Sequence, residues 1–207
     1  CDASGVKRQL LPKEYLWYFR TIQLPKIPAG KRLLLQFGAV DQDAVIYCNG
    51  KRAGGHLGGY LSFSVDLTPY LKTGENELAV KVRDETDTDW KGRGKQSLTP
   101  GGMFYTAQSG IWQSVWMEWV PENRIESLKI TPLYDESSVR LEITLTQPQN
   151  MEIRMLWNRD SYCHYVEKED FSTGQSKFVR DIPLPDFRPW SPEDPFLYEV
   201  QIITETD

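Results

Sequence analysis

The apolar positions of this chain fall in short runs with a period of two. Leu33-Leu34-Leu35-Gln36-Phe37 reads as a buried strand. Val45-Ile46-Tyr47-Cys48 reads as another, running into Asn49-Gly50, a strong hairpin signal because both residues tolerate positive φ. Phe63, Val65 and Leu67 alternate with polar neighbours. Leu78, Val80 and Val82 do so after the turn residues Thr73-Gly74-Glu75-Asn76, as do Val115, Met117 and Trp119. Residues 1–121 hold no helical period over ten or more residues. Strands of this size between Gly- and Pro-rich turns predict a β-sandwich or jelly roll.

Pro121-Glu122-Asn123 reads as a linker, after which the rhythm resumes. Leu128 and Ile130 come first, then Val139, Leu141, Ile143 and Leu145. Met151, Ile153 and Met155 follow, then Phe178 with Val179, and a last strand from Leu197 to Ile203. These short strands in residues 122–207 predict a small immunoglobulin-like sandwich, with the Trp157 strand at its centre. Pro183 to Pro195 reads as an extended loop feeding the last strand.

Charge supports the same boundary. The chain has 207 residues and a net charge of −5, split as +3 over residues 1–121 and −8 over residues 122–207. Neither half has a clustered basic stripe, which argues against nucleic acid as a partner. No stretch approaches the roughly 20 apolar residues of a membrane helix. Cys1-Asp2-Ala3-Ser4-Gly5 does not read as a signal peptide. Cys1, Cys48 and Cys163 make no metal or redox motif, and Cys48, inside an apolar run, reads as a small core hydrophobe. The compartment stays open, with bacterial periplasm and cytoplasm both compatible.

The chemistry is densest between Asp84 and Trp119. Asp84, Glu85, Asp87 and Asp89 fall within six residues, followed by Trp90, Arg93, Lys95 and Gln96, then Tyr105, Trp112, Trp116 and Trp119. A sugar ring has an apolar face that lies on an aromatic and a rim of hydroxyls that needs donors and acceptors together, which this mixture offers. Asp87 and Asp89 lack the Gly and distal Glu of a calcium loop and read as a solvated acidic loop. His56, among glycines, has no second ligand at metal spacing and reads as a loop-fixing residue. Gly110, Ile111 and Trp112 read as structural, Gly110 through positive φ and the other two as plugs of the sandwich against the next domain. Asn158 and the neighbours Cys163 and His164 carry no catalytic assignment, because adjacent strand residues point to opposite faces.

Several ordered stretches resemble the non-catalytic front end of glycoside hydrolase family 2, the β-galactosidase and β-glucuronidase group. They are Trp17-Tyr18-Phe19-Arg20; Asn49-Gly50-Lys51 with His56 and Gly58-Gly59-Tyr60; Phe63-Ser64-Val65-Asp66-Leu67-Thr68 leading to Gly74-Glu75-Asn76-Glu77-Leu78; Arg93-Gly94-Lys95-Gln96; and Ser109-Gly110-Ile111-Trp112-Gln113-Ser114-Val115-Trp116. Trp190-Ser191-Pro192-Glu193-Asp194-Pro195-Phe196-Leu197-Tyr198 resembles the close of that family's immunoglobulin-like domain.

The resemblance implies an all-β chain: a sugar-binding jelly roll over residues 1–121, short of its first strand, and an immunoglobulin-like sandwich over residues 122–207. It implies that a (β/α)₈ barrel with two catalytic glutamates follows in the parent enzyme, a retaining β-glycosidase with β-galactoside as the first substrate and β-glucuronide as the second. A barrel of roughly 250 residues does not fit beside two β-domains here, so the expectation is a non-catalytic fragment. The implied partners are a terminal β-linked sugar and the barrel of the same parent. No cofactor is expected for this chain, and a cation only in the parent. The substrate-binding candidates are Asp84, Trp90, Arg93, Lys95 and Gln96. Asp84 reads equally as a sugar ligand and as a strand-ending turn residue. Trp90 is open between stacking and domain docking, and Arg93, Lys95 and Gln96 between gripping a ligand and a network that holds the loop. The competing reading is a free-standing carbohydrate-binding module.

Overall fold

The computed structural model describes residues 8–148, 151–156, 163–169, 176–184 and 187–204. Trp157 and Asn158 lie outside the described residues. The chain divides into two compact units, Cys1–Val120 and Pro121–Asp207. The chain is all-β: seventeen strands and two short 3-10 turns, with no α-helix among the described residues. No helix there is long and apolar enough to cross a membrane.

In the first unit the strands are β1 (Leu16–Leu24), β2 (Lys31–Phe37), β3 (Val40–Asp41), β4 (Asp43–Cys48), β5 (Lys51–Leu57), β6 (Phe63–Asp66), β7 (Gly74–Arg83), β8 (Gln96–Ser97), β9 (Tyr105–Thr106), β10 (Gly110–Ile111) and β11 (Val115–Pro121). One sheet has the order β1-β7-β4-β5 and a second the order β11-β2-β6. The alternation dictates this layering. Ile22, Leu78, Val80, Val82, Ala44, Ile46 and Cys48 leave the first sheet on the same side, and Leu33, Leu35, Phe37, Val65 and Leu67 meet them from the second in one core. Cys48 is a free, buried member of that core, as its apolar run predicts. Asn49 and Gly50 turn β4 into β5 with φ of 51° and 75°. The Asn49 amide nitrogen donates to the Tyr70 carbonyl and to Asn76 Oδ1, both at 2.8 Å, which ties the turn to a fully buried Asn76.

β1 and β11 are edge strands of opposite sheets. Between them opens a slot of about 670 Å³ whose lining includes Phe19, Leu35, Phe37, Val80, Trp116 and Met117.

In the second unit β12 (Ile125–Leu133), β13 (Ser138–Leu145), β14 (Met151–Leu156), β15 (Cys163–Glu169), β16 (Lys177–Pro183) and β17 (Glu199–Thr204) form two three-stranded sheets, β12-β13-β16 and β15-β14-β17. Val139, Leu141, Ile143, Leu145, Phe178 and Ile182 make the core, and Val200 and Ile202 of the other sheet pack against it. Leu128 and Ile130 pair with Ile143 and Leu141 on the core-facing side, yet both stay exposed because β12 is an edge.

Candidate functional site

The site is built where β7 ends. Its last strand residue, Arg83, pairs with Asp43, and the chain then leaves the sheet as a loop that returns at β8. Asp84, the first loop residue, is only 2% exposed. Its Oδ1 accepts from the Thr86 amide at 2.7 Å, and its Oδ2 accepts from the Thr86 hydroxyl at 3.1 Å and the Ser109 hydroxyl at 2.5 Å. This is the strand-ending geometry that a short acidic side chain favours. Ser109 ties it to the segment before β10.

The other loop carboxylates are also engaged within the chain. Glu85 pairs with Arg83 and with Lys91, Asp89 pairs with Lys91, and Asp87 accepts from the Ser97 hydroxyl at 2.7 Å and the Leu98 amide at 3.2 Å. The Ser97 hydrogen bond, ahead of the Leu98 amide and the nearby Arg93 charge, holds the Asp87 carboxyl below its ordinary value. Among the described residues no group of three His, Cys, Asp or Glu is placed to hold a metal ion.

Gln96 closes the loop. Its amide nitrogen donates to Asp41 Oδ2 at 3.4 Å, and its oxygen accepts from the Gln108 amide at 2.5 Å. Asp41 in β3 pairs with Gly110, whose φ of 103° matches its predicted role. Asp41 is the carboxylate that sequence reasoning missed. It is 7% exposed, and its Oδ1 has no hydrogen-bond partner among the described residues. Burial, then the charge of Asp84, pushes its carboxyl up to about 6, and the Gln96 hydrogen bond offsets part of that. The polar run Asp41-Gln42-Asp43 interrupting two apolar strands was the available signal.

With both ends pinned, the loop presents its middle. Trp90 is 90% exposed, Lys95 is exposed and Arg93 is half-buried. Arg93 Nε is buried without a hydrogen-bond partner among the described residues. Gly94 lies against Tyr60, since a Cβ there would sit 3.5 Å from the Tyr60 hydroxyl. Tyr60 meets Trp112 edge-on at 6.2 Å, and the Trp112 indole donates to the Gly59 carbonyl at 2.8 Å. The Trp112 ring is 52% exposed, held at the surface by that hydrogen bond, while Ile111 packs on the core. His56, expected to fix a loop, lies instead within β5 opposite Ala44 and stacks on Phe63, with centroids 4.5 Å apart, and its buried Nε2 has no hydrogen-bond partner among the described residues. Of the five candidates, the structure brings Asp84 and Gln96 to the base of the loop and Trp90, Arg93 and Lys95 to its free part.

The comparisons agree with this architecture. The family model "Glycosyl hydrolases family 2, sugar binding domain" matches residues 10–121, and "Glycosyl hydrolases family 2" matches residues 123–207. A β-galactosidase of Thermoanaerobacter pseudethanolicus is 26% identical over 196 residues, 90% of this chain and 25% of that protein. A β-glucuronidase of Formosa agariphila is 33% identical over 122 residues, 58% of this chain and 12% of that protein. The chain therefore spans a quarter or less of the length of these curated relatives. Among solved structures, a β-glucuronidase of an uncultured Clostridium sp. superposes with a TM-score of 0.67 at 23% identity, covering 93% of this chain and 33% of that one. Two successive family models over nearly the whole chain, on two β-sandwich units, establish that the chain belongs to glycoside hydrolase family 2.

Proposed function

We propose that this chain is the non-catalytic β-domain portion of a family 2 β-glycosidase. It braces the catalytic (β/α)₈ barrel of the parent chain and lends side chains to its sugar pocket. The relatives matched over these domains carry the names β-galactosidase and β-glucuronidase, so the parent reaction is hydrolysis of a terminal β-linked sugar, with galactoside first and glucuronide second.

One observation carries the pocket reading. The acidic cluster of the loop is tied down internally, while Trp90 stands 90% exposed in its free part, beside an exposed Lys95 and an Arg93 whose Nε has no hydrogen-bond partner among the described residues. Trp90 offers a stacking face, Arg93 and Lys95 offer donors to hydroxyls, and Asp84 and Gln96 set the loop that carries them.

The test is kinetic, on the full-length enzyme with 4-nitrophenyl β-galactoside and β-glucuronide. Trp90→Ala and Arg93→Ala should each lower kcat/KM about 10- to 100-fold, with thermal midpoints unchanged because the side chains are not in the core. Wild-type kinetics in both variants would remove the loop from the pocket. A full-length polypeptide that binds galactose but hydrolyses neither substrate would favour the free-standing carbohydrate-binding module.

A further inference from the structure

The outer face of the four-stranded sheet carries a ring cluster that the loop site does not use. Side chains alternate across a strand, so Trp17 and Phe19 of β1 point away from the core that takes Tyr18 and Ile22. The two rings are parallel to within 7°, with centroids 5.8 Å apart. Tyr47 of β4 comes to 5.9 Å from Trp17. The strand between them supplies Ala79, opposite both Phe19 and Tyr47, so nothing bulky separates the rings. Lys81 of the same strand holds its ammonium 3.7 Å over the Tyr15 ring and 5.8 Å over Trp17. Beside it lies a cup of about 130 Å³ lined in part by Tyr15, Asp43 and Lys81.

Core packing does not account for this face. Trp17 and Phe19 remain exposed, and a sandwich core has already formed behind them. The centre of a protein-docking patch is depleted of charge, whereas here an ammonium and a carboxylate stand among the rings. Flat apolar faces with a donor fixed over them and an acceptor alongside match a pyranose, whose C–H face stacks while its hydroxyls reach outward. The rings run across several strands, further than one cup, which fits a chain of sugars better than a single one. Arg83 also lines the cup and is paired with Glu85, so Lys81 and Arg83 are balanced by Asp43 and Glu85, and the face has no preference for a polyanion. We propose that Tyr15, Trp17, Phe19 and Tyr47, with Asp43 and Lys81, form a second carbohydrate platform that takes an extended neutral glycan chain.

The test is affinity electrophoresis of the full-length protein in gels holding soluble β-1,4-galactan, β-1,4-xylan or hydroxyethylcellulose, with polygalacturonate as the charged comparison. At least one neutral gel should retard the wild type. Trp17→Ala/Tyr47→Ala should lose that retardation while hydrolysing a small chromogenic glycoside at the wild-type rate. Should that pair unfold by circular dichroism, Asp43→Asn/Lys81→Gln, which leaves every ring in place, gives the same reading. Absence of retardation in all neutral gels, retardation by polygalacturonate alone, or undiminished retardation of the folded variants would overturn the proposal. Retardation is read independently of turnover, so failure of the glycosidase reading and failure of this one are distinguishable.

Discussion

At the scale of single residues, two buried carboxylates behave differently because their surroundings do. Asp84 accepts three hydrogen bonds, and removing them strands the Thr86 amide and the Ser109 hydroxyl in a buried place. Asp84→Ala should therefore destabilise the fold by about 2 kcal/mol, seen as a lower urea midpoint in equilibrium unfolding. An unchanged midpoint would mean those donors find other partners. Asp41 has the opposite balance. Its folded value of about 6 stands above the ordinary 3.8, so the folded state holds the proton more tightly than the unfolded state does. Its contribution is full below pH 4 and is lost as pH rises through 6, on the order of 3 kcal/mol. Stability measured against pH should carry this falling step in the wild type and lack it in Asp41→Asn. A step of the same size in both would place its origin elsewhere. Asp41 was invisible to a reading along the chain because its partners lie far off in sequence, Asp84 at the end of β7 and Gln96 in β8. Trp112 likewise has its partner far off in sequence: its indole N–H donates to the Gly59 carbonyl at the surface.

At the scale of elements, the strands were legible because burial on one face writes a period of two into the sequence. The hairpin at Asn49-Gly50 was legible because few residues accept its dihedrals. The short pairs were not. β3 with β10 and β8 with β9 are two residues long, too brief for any periodicity, and all four frame the candidate site. The loop between β7 and β8 was recognised by its residue types, and the partners within the chain that hold its carboxylates were not legible there. Gly110 shows how closely these pieces fit. Besides its φ of 103°, a Cβ there would collide with the Tyr18 hydroxyl, which accepts from the Ile111 amide at 3.1 Å. Gly110→Ala should cost about 2 kcal/mol or more and loosen β10 from β3. Thermal denaturation measures the cost. A midpoint within a degree of wild type would show that the strand shifts without strain.

At the scale of the whole molecule, the two sandwiches followed from strand count and turn spacing, and the change of charge at Pro121 pointed to the division. The arrangement of the two sheets in each unit was not legible, since which strand lies at an edge depends on pairings between distant segments. Edges have a consequence. β1 and β11 each present one row of amides and carbonyls without a strand beside it among the described residues, with Phe19, Trp116 and Met117 at the rim of the slot. Such a rim is a template for any extended segment that meets it, including one from another copy. Self-association of this 207-residue chain should therefore rise with concentration while its sandwiches stay folded, visible as growing light scattering at constant far-ultraviolet circular dichroism. A charged residue placed at Phe19 or Met117 should suppress it, so the useful working range of the chain is set by its borders rather than by the strength of its interior.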